Sequence, residues 1–296
     1  MTDTKPSRLL PPLSCDSHMH IFGPADRYKG SADRMYTPVD MPMSVYDREV
    51  GSLGVDRLVF VQPSAYGEDN SCLFDAMKLR PDSTRAIVVV DPDLGDDELR
   101  KMDKAGARGI RLNLKTPRYP DTKAHQAALE KAAAQIGKFG WHIQIYADTG
   151  MVSALAPAIR QLKVPLVLDH MGGVRSKDGP KQKDFDIILE LVAEGACWVK
   201  VSGADIVSGL TGSDADLNDA APFARQLIKA NAERILWGTD WPHPAHMHGA
   251  IGDAAPNIEF RPVGNAALAK LFLEAAGDDA TRKRILVDNP AKLYGF

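Results

Sequence analysis

The sequence predicts an α/β protein built as a single (β/α)8 TIM barrel, with its active site at the C-terminal ends of the strands. Three observations carry that expectation. Eight short apolar runs rich in β-branched residues recur along the 296-residue chain. Helix-period segments lie between them, in the βαβ rhythm of a parallel sheet. No run is followed by the GxGxxG or GxxxxGKS/T loop with which an open doubly wound sheet holds phosphate. The length is large for one ordinary domain and normal for an α/β barrel.

Residues 1–15 read as an N-terminal tail and residues 16–296 as the barrel. The first strand is "DSHMHIFG" from Asp16. Pro24 to Met43 lacks a clear period and carries Gly, Pro and Asp, so it is expected as a long loop reaching over the site. The second strand is "RLVFVQPS" from Arg57 and the third "RAIVVVDP" from Arg85. "DLGDDELRKMDKAGA" follows as a helix, with Leu99, Met102 and Ala105 at helical spacing. "RGIRLNL" from Arg108 is the fourth strand, and the Ala-rich "KAHQAALEKAAAQIGKFG" is a helix stopped by Gly140. "HIQIYAD" from His142, "PLVLDHMG" from Pro165, "WVKVSG" from Trp198 and "RILWGTDWP" from Arg234 complete the eight. The last helical stretch, from Asn265 to Phe296, would close the outer ring.

Composition excludes several classes of function. Lys plus Arg is 36 and Asp plus Glu is 39, a net charge of -3, so there is no basic excess for nucleic acid. The apolar runs are shorter than the roughly 20 residues of a membrane span, and the N-terminus lacks a signal-peptide core. Three widely separated cysteines, Cys15, Cys72 and Cys197, form no CxxC pair and suit a reducing cytoplasm. Self-association into a homo-oligomer is left open.

Side chains alternate along a strand, so His18 and His20 share a face at the end of the first strand. An isolated HxH pair can equally be core, but the other strand ends shift the balance. Strand two offers Gln62 and Ser64, strand four Arg111 and Asn113, strand five Tyr146, strand six His170 and strand eight Asp240. Polar groups ending six apolar strands are costly as packing and make sense together as the polar mouth of a barrel. Other features have ordinary readings. His243, His246 and His248 share a Pro-interrupted loop, where only His243 is placed to line the mouth. His125 and His142 lie away from any strand end, and Cys15 is expected to pack as a small hydrophobe. Arg111, on the same face as Asn113, suits a substrate carboxylate.

HxH after strand one, His after strand six and Asp after strand eight resemble the amidohydrolase superfamily. The wording "DSHMHIFGP", "VQPSAYGEDN", "VLDHMGG", "WGTDWPHP" and "DNPAKLYGF" is similar to the 2-pyrone-4,6-dicarboxylate lactonase group, which includes sugar-lactone and sulfomuconolactone hydrolases. The resemblance runs from Asp16 to Phe296. Metal-dependent members of the superfamily place a Lys or Glu after strand four and a His after strand five; here those strands read "RGIRLNL" and "HIQIYAD", with Tyr146 where the histidine is expected. The resemblance therefore implies a site that works without metal. The alternative is a single Zn2+ on His18, His20, His170 and Asp240. The group's arginine after "DHMG" is also missing: Gly173 stands there, with Arg175 two residues on, and the arginine of the strand-four loop is displaced to Arg118.

The expected function is hydrolysis of an acidic lactone, a small carboxylated cyclic ester, in aromatic or sugar-acid breakdown. Asp240 is the expected general base, later returning its proton as acid. His170 would position water. His18 and His20 would act as N–H donors to the oxyanion. Gln62, Ser64, Arg111, Asn113, Tyr146 and His243 would hold the substrate. Two alternatives stand beside it: a metal-dependent decarboxylase of an aromatic acid, marked by carbon dioxide release, and a barrel that binds a small acid without turnover.

Overall fold

The computed structural model describes residues 8–210, 217–244 and 251–296. His246 and His248 lie outside the described residues. Eight parallel strands follow one another around the sheet in chain order: β1 (Cys15–Met19), β2 (Arg57–Val61), β3 (Thr84–Val88), β4 (Ala107–Asn113), β5 (His142–Tyr146), β6 (Leu166–Leu168), β7 (Trp198–Val201) and β8 (Ile235–Trp237). The ring closes where the chain leaving β8 meets β1. Asp240 N–H donates to His18 O at 2.8 Å, His20 N–H donates to Trp241 O at 2.8 Å, and Met19 bridges Trp241 in parallel. Gly238 permits this approach, since a Cβ there would lie 2.6 Å from the His18 nitrogen.

Eight helices form the outer ring: α1 (Met43–Val50), α2 (Ser71–Met77), α3 (Asp96–Lys104), α4 (Thr122–Ile136), α5 (Thr149–Gln161), α6 (Lys183–Ala193), α7 (Ala221–Asn231) and α8 (Asn265–Ala276). Local chemistry sets their ends. Helix α3 opens on Asp96, Asp97 and Glu98 and closes on Lys101 and Lys104, matching charge to the helix dipole. Leu99 is fully buried, whereas Ala105 caps the helix end and is exposed, so it adds nothing to the expected apolar face. The Asp121 side chain caps α4 by accepting from the Ala124 N–H at 2.8 Å. The chain then tightens into a 3-10 turn that ends at Gly140, in the left-handed conformation.

Two apolar layers result. Strand residues such as Leu58, Phe60, Ile143, Ile145 and Trp237 pack outward on the helices. Cys15, Val59, Val61, Ile87, Val167 and Leu236 fill the barrel axis with Tyr294. Cys15 thus packs as the sequence suggests. The β1–β2 pairing passes from Asp16–Leu58 to Met19–Phe60, so β1 carries one extra residue there. That bulge lets Cys15 and the histidines at 18 and 20 face the axis despite opposite parity. The final stretch departs from its expected place. Helix α8 completes the ring, but the chain from Asp279 continues beneath the barrel, where fully buried Tyr294 plugs the N-terminal end. The Pro24–Met43 loop is tied down on top. Thr37–Pro38 pairs with Asn257–Ile258, and Tyr36 borders the site with its hydroxyl bonded to Ser64.

Candidate active site

Four predicted residues converge at the C-terminal mouth. The Asp240 Oδ1 atom lies 3.5 Å from His18 Nε2, 3.5 Å from His20 Nε2 and 3.7 Å from His170 Nε2. All four residues are buried. Asp240 and His170 hold positive φ angles of 64° and 48°, a conformation that costs an L-residue free energy and persists only where surroundings enforce it. For Asp240 the enforcing contacts are its N–H on His18 O and its carbonyl, which accepts from the His243 N–H at 2.7 Å.

Burial sets the protonation of this cluster. Desolvation pushes the Asp240 carboxyl well above the ordinary carboxylate range, against the opposing pull of Arg111. Desolvation also takes His20 down to about 3 and His18 well below its usual value, so burial favours the neutral form of both rings. His20 Nδ1 lies 2.7 Å from the Val61 carbonyl and must carry the proton. The Nε2 of neutral His20 is then a lone pair aimed at Asp240. With Nδ1 donating to Val61, a neutral His20 offers Nε2 as an acceptor and not as the N–H donor that the sequence suggests. A lone pair facing a carboxylate oxygen calls for a cation or proton between them.

That arrangement fits a single divalent ion. His18, His20 and Asp240 bring one ligand atom each within 4.8 Å of one another. Tetrahedral zinc ligands about 2.0–2.1 Å from the metal sit roughly 3.3–3.4 Å apart, close to the separations seen here. His18 Nε2 is buried without a hydrogen-bond partner, as a ligand atom would be. A second grouping, His18, Asp169 and His170, is less suited. Asp169 already faces two cations, Arg111 at 3.5 Å and Lys200 at 3.8 Å.

Beneath the histidines lies a charged layer that sequence reasoning missed. Lys200, fully buried on β7, donates to Gln144 Oε1 at 2.6 Å and stands 3.4 Å from His18 Nδ1. Desolvation outweighs the attraction of Asp169 and lowers the Lys200 ammonium to about 8. Asp169 Oδ1 is 3.3 Å from His18 Nδ1. A lysine in the middle of the apolar run "WVKV" was a usable signal, because lysine is almost never fully buried without a partner. Arg261 and Asp205 were also missed; they sit in irregular chain and a short helical turn, where no period marks them.

The proposed substrate holders divide. A small inner chamber of about 50 Å3 is bordered by His20, Tyr36, Tyr146, His170 and Asp240. An outer cleft of about 930 Å3 runs past Lys29, Tyr66, Arg118 and Tyr119. Ser64, Arg111 and Asn113 line both, so they mark the junction. Arg111 donates to Gln62 O at 3.2 Å, and its Nε is buried without a partner. Its guanidinium carbon is 5.9 Å from the centre of the Tyr146 ring. Gln62 also lines the outer cleft; its Nε2 donates to the loop carbonyls of Gly67 and Asp69, at 3.0 and 2.8 Å, while its Oε1 is buried without a partner. His243 turns instead to Asn265 on α8, with Nε2 3.1 Å from its Oδ1, and does not line the inner chamber. Gly173 cannot carry the arginine missing from "DHMGG": φ is +79° and a Cβ would lie 2.2 Å from the Ala147 carbonyl oxygen. Arg175 is tied to the Ile206 carbonyl and Arg118 to Glu68.

Comparison with known proteins gives a consistent picture. The amidohydrolase family model matches residues 15–296. A 4-sulfomuconolactone hydrolase of Hydrogenophaga intermedia is 33% identical over 97% of this chain and 90% of its own length. A 2-pyrone-4,6-dicarboxylate hydrolase of Comamonas testosteroni is 32% identical over 98% and 93%. A Pseudomonas putida crystal structure, described as a candidate 2-pyrone-4,6-dicarboxylic acid hydrolase, superposes with a TM-score of 0.76 at 27% identity, covering 97% of this chain and 98% of that one.

Proposed function

The chain belongs to the amidohydrolase family, and on that premise we propose that it hydrolyses the ester bond of an acidic lactone. The observation that carries the reading is Asp240. Its Oδ1 is placed against three imidazoles at the floor of a chamber whose mouth is marked by Arg111. The two relatives above, both named as hydrolases of such compounds, support the substrate class. The decarboxylase alternative has no comparable support.

In this reading Arg111 holds a carboxylate of the substrate, drawing on its unpartnered Nε, while Ser64, Asn113 and Tyr146 border the ring. The lactone carbonyl lies over the inner chamber. Asp240 takes a proton from water as the oxygen attacks the carbonyl carbon, and His170 orients that water. The ring C–O bond then breaks and Asp240 returns the proton to the departing oxygen. Burial makes Asp240 a stronger proton acceptor than an exposed carboxylate. His18, His20 and Asp240, with His170 beside them, would hold a divalent ion, which when bound supplies polarisation of the carbonyl oxygen. His18 can donate to the oxyanion only in the tautomer where its Nδ1 accepts from Lys200 rather than donating to Asp169. The three described cysteines are free and buried, which suits work in a reducing cytoplasm.

The test is a panel of carboxylated lactones followed by pH-stat and carbon dioxide detection, before and after treatment with a chelator. One acid equivalent per lactone and no carbon dioxide is the expected result. Carbon dioxide release from an aromatic acid would establish the decarboxylase instead.

A further inference from the structure

Asp240 has two oxygens with different neighbours. Oδ1 faces the three imidazoles, whereas Oδ2 accepts from Arg261 Nη2 at 3.3 Å. Arg261 lies in the chain after β8, close before α8, and its N–H donates to the His243 carbonyl at 3.0 Å. Its other arm, Nη1, donates to Asp205 Oδ2. Asp205 sits in the short helical turn Ala204–Ser208 after β7 and is 1% exposed. The Arg261 side chain is itself 12% exposed, so this contact is largely shielded from solvent. Planar guanidinium geometry fixes both acceptors at once, which a flexible ammonium does not do.

We infer that Arg261, braced by Asp205, is a positioning residue that fixes the Asp240 carboxylate so that Oδ1 rather than Oδ2 faces the reacting water. The inference rests on Asp240 being the base of the proposed lactonase. A carboxylate can turn about its last side-chain torsion, and the three imidazole nitrogens stand 3.5–3.7 Å from Oδ1, longer than an ordinary hydrogen bond. His18 Nε2 makes no hydrogen bond. The shorter, charge-assisted contact is on the other oxygen, from Arg261 at 3.3 Å. The Asp205 anchor explains why Arg261 stays at the rim instead of swinging into the chamber to meet an anionic substrate.

The experiment compares wild type with Arg261→Met, Arg261→Lys and the double variant Arg261→Met with Asp205→Asn. The double variant removes the buried carboxylate that the first change leaves unpaired, so the question survives if the single variant folds poorly. Arg261→Met and the double variant should lose about 30- to 100-fold in kcat, with KM within about threefold. Arg261→Lys should recover part of the loss. A rise in KM with unchanged kcat would overturn the proposal and make Arg261 a substrate contact, and wild-type kinetics would also overturn it. Crystal structures supply a readout that needs no turnover. In the methionine variants the Asp240 carboxylate should be rotated, with Oδ1 no longer equidistant from His18 and His20. An unchanged carboxylate would refute the positioning role. If wild type opens no lactone, the functional reading fails while this structural comparison still decides the inference.

Discussion

The two ends of the barrel bury similar chemistry to different effect. At the lower end, Tyr294 plugs the axis while Arg57 and Arg85 lie over the Phe296 ring at 5.3 and 4.7 Å. His142 is fully buried there, its ring 5.4 Å from Tyr294. At the upper end, His18 Nε2 is buried without a hydrogen-bond partner. The difference is convergence. The upper Nε2 atoms point at one carboxylate oxygen beside an open chamber, whereas the His142 nitrogens point at no common centre. Desolvation alone does not mark a site, because it depresses His20 and His142 alike, each to about 3. Geometry separates a cluster built for a ligand from a histidine that is simply packed.

The largest expected effect breaks the upper end directly. Asp240→Asn keeps the shape and removes the basic oxygen, so kcat should fall about 10³-fold or more. Circular dichroism and thermal melting should show the fold retained. A near wild-type rate would mean that the upper end differs from the lower one in appearance only.

Next in size is the junction. Arg111→Met should raise KM about 10- to 100-fold for a carboxylated lactone, from a charge-assisted contact of about 1.5–3 kcal/mol. A neutral ester analogue should show little change. Equal losses on both would make Arg111 a structural partner of Asp169 rather than a substrate holder.

Acid stability tests what the ends share. His20 and His142 sit at about 3 and His243 at about 4 in the folded protein, against about 6.5 in an unfolded chain. Below about pH 6.5 the unfolded state takes up protons that the folded state refuses. The stability these three rings contribute is therefore full above that pH and lost progressively toward pH 3. Denaturant melts between pH 7 and 4, with wild type set against His142→Phe, would show this, and the same acid slope in both would contradict a neutral buried His142.

The smallest effect sharpens the contrast. His142→Phe should leave kcat unchanged, since His142 belongs to the plug and not the site. It should reduce the acid slope by up to about 1.4 kcal/mol per pH unit, one proton's worth. A loss of kcat would show that the two ends are coupled.

The barrel was legible because its signal is periodic and repeated. Each of the eight apolar runs became a strand, in chain order. The converging quartet of His18, His20, His170 and Asp240 was legible because strand ends of a parallel barrel share one mouth. Three things were not. The tautomer of His20 depends on the Val61 carbonyl, which belongs to the neighbouring strand. The Gln62 Nε2 and the His243 Nε2 look available in sequence, yet they meet loop carbonyls and Asn265, whose nearness only the folded chain creates. Arg261 lies outside any periodic segment, so its pairing with Asp240, 21 positions earlier, left no pattern to read.

The central claim is that water attacks an ester carbonyl over Asp240. Its most direct test is turnover of a carboxylated lactone in 18O-enriched water, followed by mass spectrometry of the product. The account predicts one solvent oxygen per product molecule, located in the newly formed carboxylate. A product without solvent oxygen, or with it at the carbon that bore the ring oxygen, would contradict it.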